Sequence, residues 1–400
     1  MLIWLLDYFR SFPAETFDGL GKITLRASLA AMVSFLLGIG LGPQLIAWLR
    51  TRFREPNTSP SHEVERLHRE KHFTPTMGGL FIVGGIVGGC LIFGDLANPY
   101  LLIALALSVG LMSLGAIDDL IKLSGRSRGI SARTKLGVQV VLATVVALMV
   151  FRVHHPVDGG LDLSILLVSN TIHLGWWFVP LAVLVLVGTS NAVNLTDGLD
   201  GLAGGCLVFA FCSMGVAAYV SGHAELAAYL NIPFMPGSGE MLVVAGAVVG
   251  GLLSFLWFNC HPAQVFMGDT GSLPLGGLLG LLAVVGRHEL LLLVIGGVFV
   301  AEAASVLIQV GYYRWSRRRL FLCAPLHHHF QFRGWAESQI VVRFWIASAL
   351  CAIVGVASLK LNVQDRPHVQ NTPESVHLSE TPASSDTRQL AGQFSHRNLK

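Results

Sequence analysis

Residues 99–119 read PYLLIALALSVGLMSLGAIDD. Positions 99–117 pass without a single charge, and two aspartates then stand side by side. Crossing the hydrocarbon of a bilayer as a helix takes about 20 apolar residues, so this stretch predicts a membrane span with Asp118 and Asp119 at its end. Adjacent carboxylates repel each other, and holding them together calls for a cation such as Mg²⁺ or a nearby Lys122. A solvated helix end is the alternative for two aspartates taken alone.

The rest of the chain repeats the apolar pattern. Of its 400 residues 53% are hydrophobic and 13% charged, against roughly a quarter charged in a soluble domain. Comparable runs lie at 23–49, 77–94, 136–151, 174–190, 201–220, 241–258, 273–286, 290–313 and 340–359, which makes ten spans with the first one read. The expected fold is an all-α polytopic membrane protein. A net charge of +3, from 27 basic and 24 acidic residues, excludes a polybasic nucleic-acid surface. Six scattered cysteines with no CxxC pair signal neither a disulfide framework nor a thiolate metal site.

Lys and Arg set the orientation, because cytoplasmic loops keep them. Arg50, Arg52, Arg54, Arg66, Arg69 and Lys71 fall in the first loop. Lys122, Arg126, Arg128, Arg133 and Lys135 fall in the third, and Arg314, Arg317, Arg318, Arg319 and Arg333 in the ninth. The other side holds only Arg152 and Arg287. With ten spans both termini are then expected outside (periplasmic), with the odd-numbered loops and the active site cytoplasmic. Residues 1–22, with Asp7 and Arg10 inside an apolar stretch, suggest an interfacial helix rather than a cleaved signal. Residues 23–362 form the ten-helix domain, and 363–400 are too poor in large apolar residues to order, so they are expected to be a disordered tail.

Ionisable groups gather at the span ends facing the odd-numbered loops, the pattern of a site. SNAVNLTDGLDG, 190–201, spaces Asn194, Asp197 and Asp200 three apart, so one helical turn would put them on one face. They cap the next helix, or they meet a cation or sugar hydroxyls that offset a cytoplasmic loop without Lys or Arg. In NCHPAQVFMGDTGS, 259–272, Asp269 stands between glycines just before Ser272 and Pro274, as a helix cap or as a ligand for a hard cation. APLHHHFQFRGW, 324–335, holds three consecutive histidines, better suited to phosphate contact or proton transfer than to a shared metal. KHFTPTMGG, 71–79, offers Lys71 to a phosphate or to membrane anchoring. Glu302, Ser305 and Gln309 form a polar stripe inside an apolar run.

Taken together, TPTMGG, the Asp118-Asp119 pair, NAVNLTDGLDG, VFMGDTGS and PLHHHF followed by RGWAESQIVVRFW resemble the MraY-type phospho-N-acetylmuramoyl-pentapeptide-transferases. These belong to the polyprenyl-phosphate N-acetylhexosamine-1-phosphate transferase superfamily. The likeness runs in order from about residue 20 to 360. It implies transfer of phospho-MurNAc-pentapeptide from its UDP carrier to undecaprenyl phosphate, giving lipid I and UMP. It also implies a homodimer of ten-helix subunits in the bacterial inner (cytoplasmic) membrane, with Mg²⁺ required.

Carried onto matching positions, the resemblance makes Asp269 the Mg²⁺ ligand. Asp118 and Asp119 serve the lipid phosphate or the metal, and His328 with His327 and His329 contacts phosphate. Lys71, Asn194, Asp197 and Phe266 hold the uridine end, Phe266 by stacking on uracil, while Thr76, Asp200, Asn259 and Gln309 complete the substrate-binding set. Glu302 and Gln309 fall on a long, broken ninth helix. One departure is Phe73, where the family's string carries a Gly before TPTMGG. It bears on the path of the first cytoplasmic loop and the aim of Lys71. The alternative functions are a polyprenyl-phosphate GlcNAc-1-phosphate transferase and, from another class, a secondary transporter, whose carboxylates belong at mid-bilayer helix breaks in two repeated halves.

Overall fold

The computed structural model describes residues 21–52, 74–123, 129–165 and 171–360, all within the compact unit Met1–Val363. The interfacial helix expected over 1–22, the tail from 363, Lys71 and Phe73 fall wholly or almost wholly outside the described residues.

The described chain is helical apart from one small antiparallel hairpin, β1 (Asp162–Ser164) and β2 (Thr171–His173). The long helices in chain order are α1 (Ile23–Arg52), α2 (Gly79–Phe93), α3 (Pro99–Leu123), α4 (Ala132–His154), α5 (Phe178–Thr196) and α6 (Leu202–Ser221). After the short α7 (Ala224–Leu230) come α8 (Met241–Asn259), α9 (Asp269–Gly286), α10 (Glu289–Ile295), α11 (Gly297–Ser316), the short α12 (Leu326–Phe332) and α13 (Glu337–Leu359).

Among the described residues, eight helices are long and apolar enough to cross a membrane. Their outward faces carry large apolar side chains, such as Leu184 and Ile353, as lipid-facing helices do. Two of the ten expected runs take another form. At 15 residues, α2 is shorter than a straight span. The run 290–313 breaks at Gly296-Gly297 into α10 and α11, bent by 87°, because adjacent glycines let the backbone leave the helix there.

At the centre stands α9, with every residue buried. Around it pack α3, α5, α6 and α2, and α1 pairs with α8. That pair meets through Ala27 and Ala31 against Gly246 and Gly250, small residues four apart that let two backbones touch. Buried charges tie the loops to the bundle. Arg26 makes a two-pronged bond to Glu240, 2.7 and 2.8 Å, and donates to the Phe93 carbonyl. Beyond the C-terminal end of α9, Arg287 donates to Glu289 and to the Asp162 carbonyl, holding the hairpin. Over 18 residues α9 spans about 27 Å, so this anchor lies far from the Asp269 end.

Candidate active site

Three of the strings singled out from sequence, together with the end of α3, converge at the N-terminus of α9. They enclose a cavity of about 260 Å³ lined by Thr76, Asp119, Lys122, Asn194, Asp197, Gly198, Leu199, Asp200, Asn259, Phe266, Met267, Gly268 and Asp269. Its walls combine helix ends with the connecting loops. The third helix continues to Leu123, so Asp118, Asp119 and Lys122 are helical, and Asp269 opens α9 in its first turn.

The carboxylate oxygens of Asp118, Asp119 and Asp269 gather within 4.8 Å of one another. Against them stand two ammonium groups. Lys122 Nζ lies 3.1 Å from Asp118, 3.6 Å from Asp119 and 3.0 Å from Asp269. Lys135 Nζ lies 3.4 Å from Asp118 and makes a very close pair with Asp269. Each aspartate also accepts a fixed donor. Asp118 takes the Ile130 N–H at 2.6 Å, and Asp119 takes the Thr270 N–H at 3.0 Å and hydroxyl at 2.6 Å. Asp269 takes the Asn194 amide at 2.6 Å. Asp119 thereby satisfies free N–H groups at the start of α9, where a negative charge meets the positive end of the helix dipole.

Three carboxylates facing two ammonium groups leave one negative charge uncompensated, and nearby Asp197 adds another once its own proton is lost. Such an excess, presented by oxygen donors from two helices, fits a hard divalent cation. Burial first, then the Asp269, Asp119 and Asp200 carboxylates, push the Asp197 carboxyl up to about 8. A carboxyl with a raised pKa holds its proton more tightly folded than unfolded. The stability it contributes is fully present below its ordinary value of 3.8 and is lost as pH rises through about 8. In metal-free protein, Asp197→Asn is expected to match wild type in thermal unfolding near pH 4 and to exceed it at pH 9. A constant difference across that window would show that Asp197 does not titrate as this geometry requires.

Asn194, Asp197 and Asp200 do not share one helical face, contrary to the spacing argument. Asn194 lies in the last turn of α5, Asp197 ends that helix, and the chain then turns through Gly201 at φ +78°. The Asp200 carboxylate turns toward His261 Nδ1 and the Ala263 N–H, both 3.2 Å away. Thr76 and Phe266 line the cavity as expected. Asn259 does so while bracing loops, accepting from Gly201 N–H and donating to the Val265 carbonyl.

The histidines take different partners, although the His327 and His328 rings lie 4.2 Å apart. His327 is buried against the back of Gly198, His328 bonds Gln331, and His329 Nδ1 accepts the Leu322 N–H. The amide of Gln309 engages the backbone of residues 320–321 with three hydrogen bonds. None of His327, His328, His329 and Gln309 lines the cavity. Lys135 and Thr270 are site residues that sequence reasoning missed. Lys135 sat in a basic loop beside Arg133 with nothing to mark it, whereas Thr270 lay in the GDTGS string and was open to being read as a cap partner.

Residues 101–287 match the family model described as glycosyl transferase family 4. The matched segment carries Asp118, Asp119, Lys122, Lys135, Asn194, Asp197, Asp200, Asn259, Phe266 and Asp269, and the match supports a transferase.

Proposed function

We propose, on the premise of that glycosyl transferase match, that this chain moves a sugar phosphate from a nucleotide onto a polyprenyl phosphate in a membrane. Specifically, it is a Mg²⁺-dependent phospho-N-acetylmuramoyl-pentapeptide-transferase (EC 2.7.8.13) of the bacterial cytoplasmic membrane. It converts UDP-MurNAc-pentapeptide and undecaprenyl phosphate to lipid I and UMP for peptidoglycan synthesis, and works as a homodimer with its site on the cytoplasmic side. The observation that carries this reading is the carboxylate excess at the Asp269 end of α9, open to a cavity walled by the three quoted strings.

Both substrates are anionic, so bringing them together demands charge neutralisation and in-line placement more than covalent help from the protein. Mg²⁺ held by Asp269, with Asp118 and Asp119 beside it, would supply that neutralisation at the pyrophosphate. The new bond joins an oxygen of the lipid phosphate to the sugar-bearing phosphorus, and the bond from that phosphorus to UMP breaks. Lys122 and Lys135 are free to trade part of their contact with the aspartates for phosphate oxygens. Asp118, whose oxygens already accept Ile130 N–H and both lysines, orients the lipid phosphate. Asn194 fixes Asp269, Phe266 offers a ring to uracil, and Thr76 and Asp197 hold the nucleotide with Lys71.

The test is UMP release by detergent-purified protein from UDP-MurNAc-pentapeptide and undecaprenyl phosphate, with and without Mg²⁺, beside UDP-GlcNAc as competing donor. Metal-dependent release with the muramoyl donor alone is expected. Release with UDP-GlcNAc would move the chain to the GlcNAc-1-phosphate transferases, and no release with either donor would return the transporter reading.

A further inference from the structure

The reaction as described leaves one buried pair unused. Glu302, on α11, is fully buried, and both of its carboxylate oxygens address a single residue. Oε1 accepts the His327 backbone N–H at 3.1 Å, and Oε2 lies 3.3 Å from His327 Nδ1. His327 is itself 1% exposed. A carboxylate taken out of water is costly unless donors or a polar group face it, so Glu302 anchors the His327 backbone by hydrogen bond and keeps the imidazole beside it. A carboxylate facing Nδ1 favours the tautomer with its proton on that nitrogen. Nε2 then presents a lone pair, and in the fold it is buried without a hydrogen-bond partner, as are Nδ1 and Glu302 Oε2, which face each other without the alignment of a hydrogen bond.

What Nε2 meets is the backbone of Gly198. A Cβ at position 198 would lie 2.3 Å from Nε2 and 2.9 Å from Cε1, so the ring edge rests directly on this glycine. Gly198 is absent from the positive-φ residues, so the position requires glycine for space, not for conformation. Its chain neighbour is Asp197, which lines the cavity. The same turn is held at two further points. Glu337 Oε1 accepts the Asp200 N–H at 3.0 Å, and Trp345 Nε1 donates to the Gly201 carbonyl at 3.1 Å. Of the three supports, the His327 contact acts beside Asp197 and is braced from behind by a buried carboxylate.

We infer that Glu302 is a positioning residue: through His327 it clamps the turn at Gly198 and thereby sets how far Asp197 reaches into the active-site cavity. The inference deepens the transferase reading and rests on it for its kinetic readout. It also gives a use to Glu302 of the polar stripe on α11, which the chemistry at Asp269 leaves aside. His327 acts here by contact with the turn, whereas His328 and His329 point to other partners.

Two double-mutant cycles on the full-length protein test it. Gly198→Ala puts a methyl into the His327 ring and is expected to cost about 50-fold in kcat, with little change in the KM for undecaprenyl phosphate. The same change in a His327→Ala background should cost less than about threefold, because the obstructing ring is gone. Glu302→Gln, which offers Nδ1 an amide donor in place of an acceptor, should cost about tenfold in kcat/KM for the nucleotide donor and less than about twofold on top of His327→Ala. Additive losses in either cycle would overturn the proposal, since a role confined to holding α11 would not depend on the ring. The Gly198/His327 cycle is also read on the thermal unfolding midpoint, which needs no substrate. Suppression there, with wild type inert toward both donors, would sink the transferase reading and leave the clamp standing. No suppression there would remove the clamp itself.

Discussion

Asp269→Asn is expected to lower the rate of UMP release by on the order of 10³-fold or more while the protein purifies and unfolds much as wild type. Asp269 is where the site's partners meet. Its Oδ2 faces Lys122 and Lys135, its Oδ1 accepts from Asn194, and its own N–H points at Asp119. Asparagine keeps the shape and the bond to Asn194, and position 269 still opens α9, so the helix loses little. The charge is lost. Two lysines would then face an amide that cannot neutralise them, and the cation that the carboxylate excess invites would lose its central ligand. The measurement is kcat with saturating Mg²⁺ alongside the unfolding midpoint. Turnover within tenfold of wild type in the folded variant would take Asp269 out of the chemistry and dismantle the proposed site.

The second large effect comes from a residue with no functional group. Gly115→Ala on α3 is expected to reduce kcat/KM by about 100-fold, the scale of a 1 Å misplacement of reacting groups. A Cβ there would lie 2.2 Å from the Asp269 carbonyl oxygen and 2.6 Å from the Thr270 nitrogen. Both obstacles are backbone atoms, so no side chain can swing aside, and α3 must move off the start of α9. That movement would carry Asp119 away from the Thr270 N–H and hydroxyl, which it now accepts, and Asp118 away from Lys135. Overpacking of this kind typically costs about 1–3 kcal/mol in stability as well, so the unfolding midpoint should fall. Gly110→Ala is the control. It lies on the same helix, and its added methyl meets only Leu142 at ordinary contact distance, 3.5 Å. It should leave rate and stability near wild type. Equal behaviour of the two variants would show that the close approach of α3 to α9 does not govern the site.

Much of this arrangement was legible beforehand. Apolar runs of span length read as helices because the cost of leaving backbone and apolar side chains mismatched to a bilayer is local to each run. Thus 99–117 lies within α3, and 241–258 within α8. The grouping of Asp118, Asp119, Asn194 and Asp269 was legible for a related reason, since carboxylates and carboxamides at span ends are expensive without partners. Where runs ended was less legible. The third and fifth helices continue past their apolar stretches, through Lys122 and Asn194, because those side chains find partners across the bundle rather than in water. Residues 290–313 passed as one span by length, and only Gly296-Gly297 hinted at the 87° bend.

Composition, charge placement and the order of five short strings by themselves determined a helical membrane protein with an acidic site at its helix ends. Tertiary structure alone decided that Lys135 and Thr270 join that site, that Asp200 turns toward His261, and that His327 presses on Gly198 with Glu302 behind it. The physical reason is range. Transfer of apolar side chains into lipid is settled within a run of neighbours, whereas a hydrogen bond between Asn194 and Asp269 joins residues 75 positions apart. The two helices that carry it approach closely where Gly276 of α9 meets the backbone of Thr189 and Ser190 on α5, and that contact belongs to the packed bundle and not to any one segment of it.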